Sequence, residues 1–178
     1  LMDDGVFEGD HLREWLGNLL VDECGVETFD DLAIDDPGSS LPPERRFSLI
    51  VTATDVSRGE LVYFPWDYER AYGLEPGRQR VVDAVRASMS IPFFYEPATL
   101  AGSDTTTSTL VDGGVLSNFP IDIFDRTDGR PPRWPTFGVK LLPLLPMDAA
   151  KLLPIAGPVQ ARPRRVGCEP GDDHDRGA

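Results

Sequence analysis

The chain has 178 residues, 40% of them hydrophobic and 26% charged, enough for one domain of ordinary size and not comfortably two. No apolar run approaches the ~20 residues that span a bilayer, and two cysteines and two histidines, far apart in dissimilar contexts, support neither a disulfide framework nor a zinc site. The net charge of −13 is uneven: residues 1–40 hold 12 Asp/Glu against one Arg, a net of −11, which disfavours nucleic acid and reads most simply as a solvated acidic face.

Residue 1 is Leu and no basic-then-apolar signal segment follows it. That predicts a chain starting inside a longer reading frame, and it leaves the location open, with the cytoplasm the simplest choice. Asp10 is placed to cap a helix over 11–20, where Leu12, Trp15, Leu16, Leu19 and Leu20 fall on one stripe. His11 lies off that stripe, on the solvated face. Gly25 is a natural stop, and Thr28 opens a short helical turn around Phe29–Leu32. Residues 35–43 are a loop by composition.

Residues 46–56, rich in β-branched side chains without clean alternation, predict a strand buried on both faces. Ser57-Arg58-Gly59-Glu60 is a turn, and Leu61–Phe64 returns as a hairpin partner. Residues 66–76 read as irregular and aromatic. A helix is expected over 78–89, with Val81, Val82, Val85 and Met89 on one face and Pro92 as its stop. Phe93, Phe94 and Tyr95 read first as core and second as a lipid-contacting wall. Residues 99–109 read as a small-residue polar loop feeding the strand that ends at Asp112. Residues 121–124 suit a short helix, 128–133 a turn or loop, and 136–142 another central strand. The Pro/Arg/Gly-rich residues 146–178 predict a disordered tail behind a domain of residues 1–145. Strand–helix–strand order makes the fold α/β.

The stretch around which the rest is organised is Leu110-Val111-Asp112-Gly113-Gly114, followed by Asn118-Phe119-Pro120. A strand stopping at Asp-Gly-Gly holds a carboxylate at its end, and the glycines permit unusual backbone angles or close approach. Carboxyl ends of strands are where ligands collect in α/β proteins. Taken alone, however, Asp-Gly is an ordinary turn dipeptide.

Several segments in order resemble the distal part of a patatin-like phospholipase domain, over residues 5 to about 142. These are Glu8-Gly9-Asp10 with the Leu12/Trp15/Leu16 helix, Val51-Thr52-Ala53-Thr54-Asp55-Val56 with Gly59, and Ala84-Val85-Arg86-Ala87-Ser88-Met89-Ser90-Ile91-Pro92, which matches an Ala-Ser-x-Ser-x-Pro segment. Asp112-Gly113-Gly114 with Asn118 and Pro120, and then Thr136-Phe137-Gly138-Val139, complete the set. The resemblance implies a three-layer α/β/α fold, incomplete here, with the N-terminal strands, oxyanion loop and nucleophile elbow missing. It implies ester hydrolysis by a Ser–Asp dyad on a lipid or phospholipid substrate, with no cofactor and no metal. Peripheral membrane contact is compatible with that substrate. Asp112 is carried over as the proton acceptor, within the motif Asp112, Gly113 and Gly114.

The dyad's serine has no counterpart in the chain. Gly-x-Ser-x-Gly is absent; Asp55-Val56-Ser57-Arg58-Gly59 lacks the first glycine and sits in a turn. The omission matters, because a serine hydroxyl is a poor nucleophile until a base takes its proton, and one oxyanion donor alone is worth roughly 10²–10³ in rate. Ser88 and Ser90 end a helix and do not form a strand-to-helix elbow, so structural roles are expected. His11 on a polar face and His174 in the tail do not complete a triad. A cation site at Asp112, Asp122 and Asp125 lacks the spacing of a calcium loop. The alternative to a hydrolase fragment is a non-catalytic remnant that binds acyl lipid or a partner. If central strands are missing, open sheet edges and aggregation are expected.

Overall fold

Helix α1 spans Asp10–Cys24. The computed structural model describes residues 8–117 and 119–139, all within one unit, Leu1–Val139. Gly9, in the left-handed region at φ 76°, takes the cap position assigned to Asp10, which instead begins the helix. The acid still favours the positive end of the helix dipole there. Gly25 ends α1 as expected, with φ 65° and its N–H on the carbonyls of Leu20 and Val21. The predicted stripe is only partly covered: α1 packs on the later helix α3 and Leu20 reaches the core, while Trp15 and Leu19 remain exposed. His11 is exposed, as its place off the stripe predicted.

A 3₁₀ turn follows at Phe29–Leu32. Asp31 Oδ2 accepts the N–H groups of Glu27 and Thr28, each at 2.9 Å, and the Thr28 bond leads the causes holding this carboxyl below its ordinary value. The turn buries Phe29 completely. A second 3₁₀ turn covers Pro43–Arg45.

Four strands form one antiparallel sheet in the order β2-β1-β4-β3: β1 Val51–Asp55, β2 Glu60–Phe64, β3 Ala98–Ala101 and β4 Thr107–Asp112. The β1–β2 hairpin is the predicted one. Its register pairs Ala53 with Val62 and Val51 with Phe64, and β4 joins β1 with Ala53 opposite Asp112 and Asp55 opposite Leu110. Cross-strand partners share a face, so Val51, Ala53, Val62, Phe64 and Leu110 line one side, all of them buried. Helices α2 (Asp67–Tyr72) and α3 (Val81–Ser88) complete that core with Tyr68, Ala71, Tyr72, Val81, Ala84 and Ala87. Phe64 stacks on Tyr68 at 4.3 Å between ring centroids, and Phe29 meets Phe47 and Tyr68 edge-on at 6.3 and 6.1 Å. The protein is a mixed α/β fold.

Six expectations need correction. Residues 66–76 contain helix α2, because Tyr68, Ala71 and Tyr72 fall at i, i+3 and i+4 and bury one aromatic face. Residues 99–109 are a hairpin: Thr99 and Leu100 pair with Thr109 and Ser108, leaving only the connection as loop. Small and Thr-rich residues suit an edge strand as well as a loop. The predicted strand over 46–56 begins at Val51, since Phe47 pairs with Ala33 and Ser48 N–H bonds the Leu32 carbonyl. Residues 121–124 form a turn held by Asp125 N–H on the Asp122 carbonyl at 2.9 Å. Residues 136–139 are irregular, with Phe137 and Val139 87% and 89% exposed. No strand among the described residues offers them a ladder, and an apolar run without an edge to pair with stays irregular. Residues 140–142 of that predicted strand, and 146–178, lie outside the described residues.

The sixth correction concerns Phe93-Phe94-Tyr95. Core packing is not what is found: Phe93 is 88% exposed at φ 69° and Phe94 is exposed. Pro92 turns the chain outward just after α3, and the aromatic pair leaves with it.

Candidate active site around Asp112

Asp112 is the last residue of β4 and the cap of a 3₁₀ turn, Gly113–Val115. Its Oδ1 accepts the Gly114 N–H at 2.8 Å, and its own N–H donates to the Ser90 carbonyl at 2.9 Å. No other donor among the described residues reaches the carboxylate. The side chain is half-buried, and among the described residues its hydrogen bond is at one oxygen.

Gly113 explains why the motif needs glycine there. Its backbone is not in the left-handed region; an added Cβ would lie 2.4 Å from Thr52 Oγ1 and 2.8 Å from the Thr52 carbonyl carbon and oxygen. The demand is for close approach between β1 and the turn, not for a special φ. Gly114 contributes the N–H that aims the carboxylate. Asn118 lies outside the described residues.

The Ala-Ser-x-Ser-x-Pro segment meets Asp112 from the side. Ser90 is fully buried. Its hydroxyl accepts from Arg86 Nη1 at 2.6 Å and donates to the Arg86 carbonyl at 2.9 Å. Both roles of the hydroxyl are thus taken by Arg86, and its contact with Asp112 runs through the main chain. Ser88 is the half-buried last residue of α3, and Ser57 Oγ accepts the Thr109 N–H at 2.9 Å. Each serine weighed as a substitute nucleophile sits in a helix end or a turn.

Next to these residues in the chain, Met89 and Ile91 flank Ser90, Val115 and Leu116 follow the glycines, and all four are exposed.

A second carboxylate shows the contrast. Asp55 ends β1 fully buried; its Oδ2 accepts from Tyr72 OH at 2.9 Å and its Oδ1 from the Arg58 N–H at 3.0 Å, with Arg58 Nε 3.5 Å away. The Arg58 guanidinium lies over the Tyr72 ring at 5.3 Å. Burial, then the bond to Asp55, pushes the Tyr72 hydroxyl well above its ordinary value, and burial with the nearby Asp83 charge does the same to Tyr68. Asp55 is hydrogen-bonded at both oxygens and holds a turn; Asp112, among the described residues, is bonded at one. Among the described residues no group of three or more His, Cys, Asp or Glu is arranged to hold a metal ion, the Asp112, Asp122 and Asp125 combination included.

Arg86 was not singled out from the sequence. The available signal is its spacing: it lies four residues after the buried Val82 and four before Ser90, a charge on an apolar helix face.

A Thr-Asp strand, an Asp-Gly-Gly strand end beside it and a helix end bonded to that strand define an α/β protein with a carboxylate site at a sheet end. The patatin-like phospholipase family model matches residues 2–125, and the chain belongs to that family. It is 40% identical over 139 residues to the uncharacterized protein YqhO of Bacillus subtilis (strain 168), a match covering 78% of this chain and 41% of that protein. The chain therefore spans less than half the length of that relative. The family is one of lipid acyl hydrolases. Among the described residues no helix is long and apolar enough to cross a membrane.

Proposed function

We propose that this chain supplies the acid/base half of a Ser–Asp dyad in a lipid acyl hydrolase, with Asp112 as proton acceptor and the attacking serine in sequence outside these 178 residues. The observation that carries the reading is the Asp112 carboxylate at a strand end, aimed by Gly114 N–H, with no other donor on it among the described residues. In this chemistry the serine Oγ bonds to the acyl carbonyl carbon while its proton passes to Asp112. Collapse breaks the ester C–O bond and the leaving alcohol takes the proton; water then releases the acid by the same steps in reverse. No cofactor is required, and the apolar rim supplies contact for an acyl chain or a lipid surface.

The coding DNA directly upstream tests this. An in-frame Gly-x-Ser-x-Gly is expected, and the product extended to include it should hydrolyse short p-nitrophenyl esters. A stop codon immediately before the Leu1 codon contradicts the proposal. The exposed rim of Ile91, Phe93, Val115 and Leu116 favours a second reading, an acyl-lipid or partner-binding module without turnover. That reading gains if the extended chain binds fatty acid but hydrolyses nothing.

A further inference from the structure

We propose that Arg86 is the positioning residue for Asp112: its guanidinium braces Ser90, and the Ser90 carbonyl fixes the strand end that carries the carboxylate. The proposal rests on the reading of Asp112 as proton acceptor, and it concerns a residue that the motif resemblance does not assign.

Arg86 is only 8% exposed, in the last turn of α3. Nη1 donates to Ser90 Oγ at 2.6 Å, while Nη2 donates to the Glu8 carbonyl and, at 3.0 Å, to the Glu96 carbonyl. The ring of Tyr95 lies 5.6 Å from the guanidinium carbon. Among the described residues no carboxylate forms an ion pair with it. Burying a cation without an anion costs several kcal/mol before compensation, and an apolar side chain of similar volume would fill the space more cheaply. What arginine adds is directed hydrogen bonds from one rigid plane.

Those bonds tie the chain entering α1, which is distant in sequence, to the end of α3 and to the residue before Pro97. The Ser90 carbonyl then receives the Asp112 N–H at 2.9 Å, so the brace ends one bond from the carboxylate residue. Gly9 is fitted to the same group. Its φ is 76°, and an added Cβ would lie 2.4 Å from Arg86 Nε. On the other side Gly113 is pressed against Thr52. Asp112 is thus held by β1 from one direction and by the Arg86–Ser90 brace from the other. Lysine cannot replace this arrangement, because a single ammonium does not span acceptors on separate segments.

Amide hydrogen exchange and carboxyl ¹³C resonances of the 178-residue chain test the assignment without any turnover. In Arg86→Met, the Asp112 amide should exchange at least ~10-fold faster while the Ala53 and Val62 amides of the β1–β2 hairpin change less than ~2-fold. The Asp112 carboxyl resonance should move as well. Arg86→Lys should recover only part of the protection, and Ser90→Ala should give the same pattern at smaller amplitude. An unchanged Asp112 amide and carboxyl in folded Arg86→Met overturns the proposal. So does a uniform rise across the sheet, which reports lost stability and nothing more. If Arg86→Met does not fold, Ser90→Ala decides by the same two criteria. Failure of the catalytic reading looks different: the coupling would be intact while ester turnover by the extended chain survived Asp112→Ala.

Discussion

Phe64 and Phe93 each sit beside a proline in a short apolar run, Tyr63-Phe64-Pro65 and Pro92-Phe93-Phe94, yet they end in opposite environments. Phe64 is fully buried, stacked on Tyr68 beneath α2. Phe93 is 88% exposed at a left-handed φ. The difference is what the chain does next. After Phe64 it folds back as a helix whose aromatic face covers β2; after Phe93 it continues into β3, and no described segment returns over the ring. The same contrast separates Asp55, hydrogen-bonded by Tyr72 and Arg58 at both oxygens, from Asp112, which among the described residues is bonded at one. One set of side chains is packed shut, while the segments around Ser90 and Asp112 carry exposed apolar residues.

Breaking the packed set should cost most. Phe64→Ala removes a fully buried ring and is expected to cost about 3–5 kcal/mol in urea unfolding. A cost below ~1 kcal/mol would mean that the aromatic stack is not the core. Gly113→Ala comes next. Its methyl group meets the Thr52 main chain at 2.8 Å, so β1 or the turn must shift, at about 1–3 kcal/mol; a neutral result would contradict the close approach that explains the motif.

The tyrosines sharpen the comparison through pH. Tyr68 and Tyr72 have raised folded values, so their contribution is intact below the unfolded value of ~10 and is lost as pH rises beyond it. Spectrophotometric titration should show these two ionising only at or beyond alkaline unfolding. Ionisation of all the tyrosines near pH 10 in folded protein would contradict their burial.

At the exposed apolar residues the effects on stability should be small. Val115→Ser with Leu116→Ser should change unfolding free energy by less than about 0.5 kcal/mol per site. It should also reduce binding of a hydrophobic dye and lessen concentration-dependent association, which sedimentation would detect. Unchanged dye binding would place the sticky surface elsewhere. Thr54→Val deletes the one buried side-chain oxygen without a partner among the described residues and should be neutral or stabilising by ~1 kcal/mol.

The sequence carried the packed and the exposed parts unequally. The β1–β2 hairpin, α1 with its Gly25 stop, the Phe29 turn and the strand ending at Asp112 were legible because period, turn residues and caps are local. Helix α2 was hidden because six residues are too few to display a period, and β3 because Thr99–Ala101 needs β4 beside it to be a strand. The fate of Phe93 could not be read locally, since burial depends on which segment returns. Asp112 was visible only through the order of motifs on both sides. Arg86 was missed because two of its three hydrogen-bond acceptors are main-chain carbonyls, which leave no mark in residue types.

The central claim is tested most directly with a fluorophosphonate probe of activated serines, applied to this chain and to its product extended upstream. The prediction is no labelled serine within the 178 residues and one in the extended product, on its Gly-x-Ser-x-Gly, with labelling and ester turnover falling on the order of 10³–10⁴-fold in Asp112→Ala. Label on Ser57, Ser88 or Ser90, or turnover that survives Asp112→Ala, would contradict it.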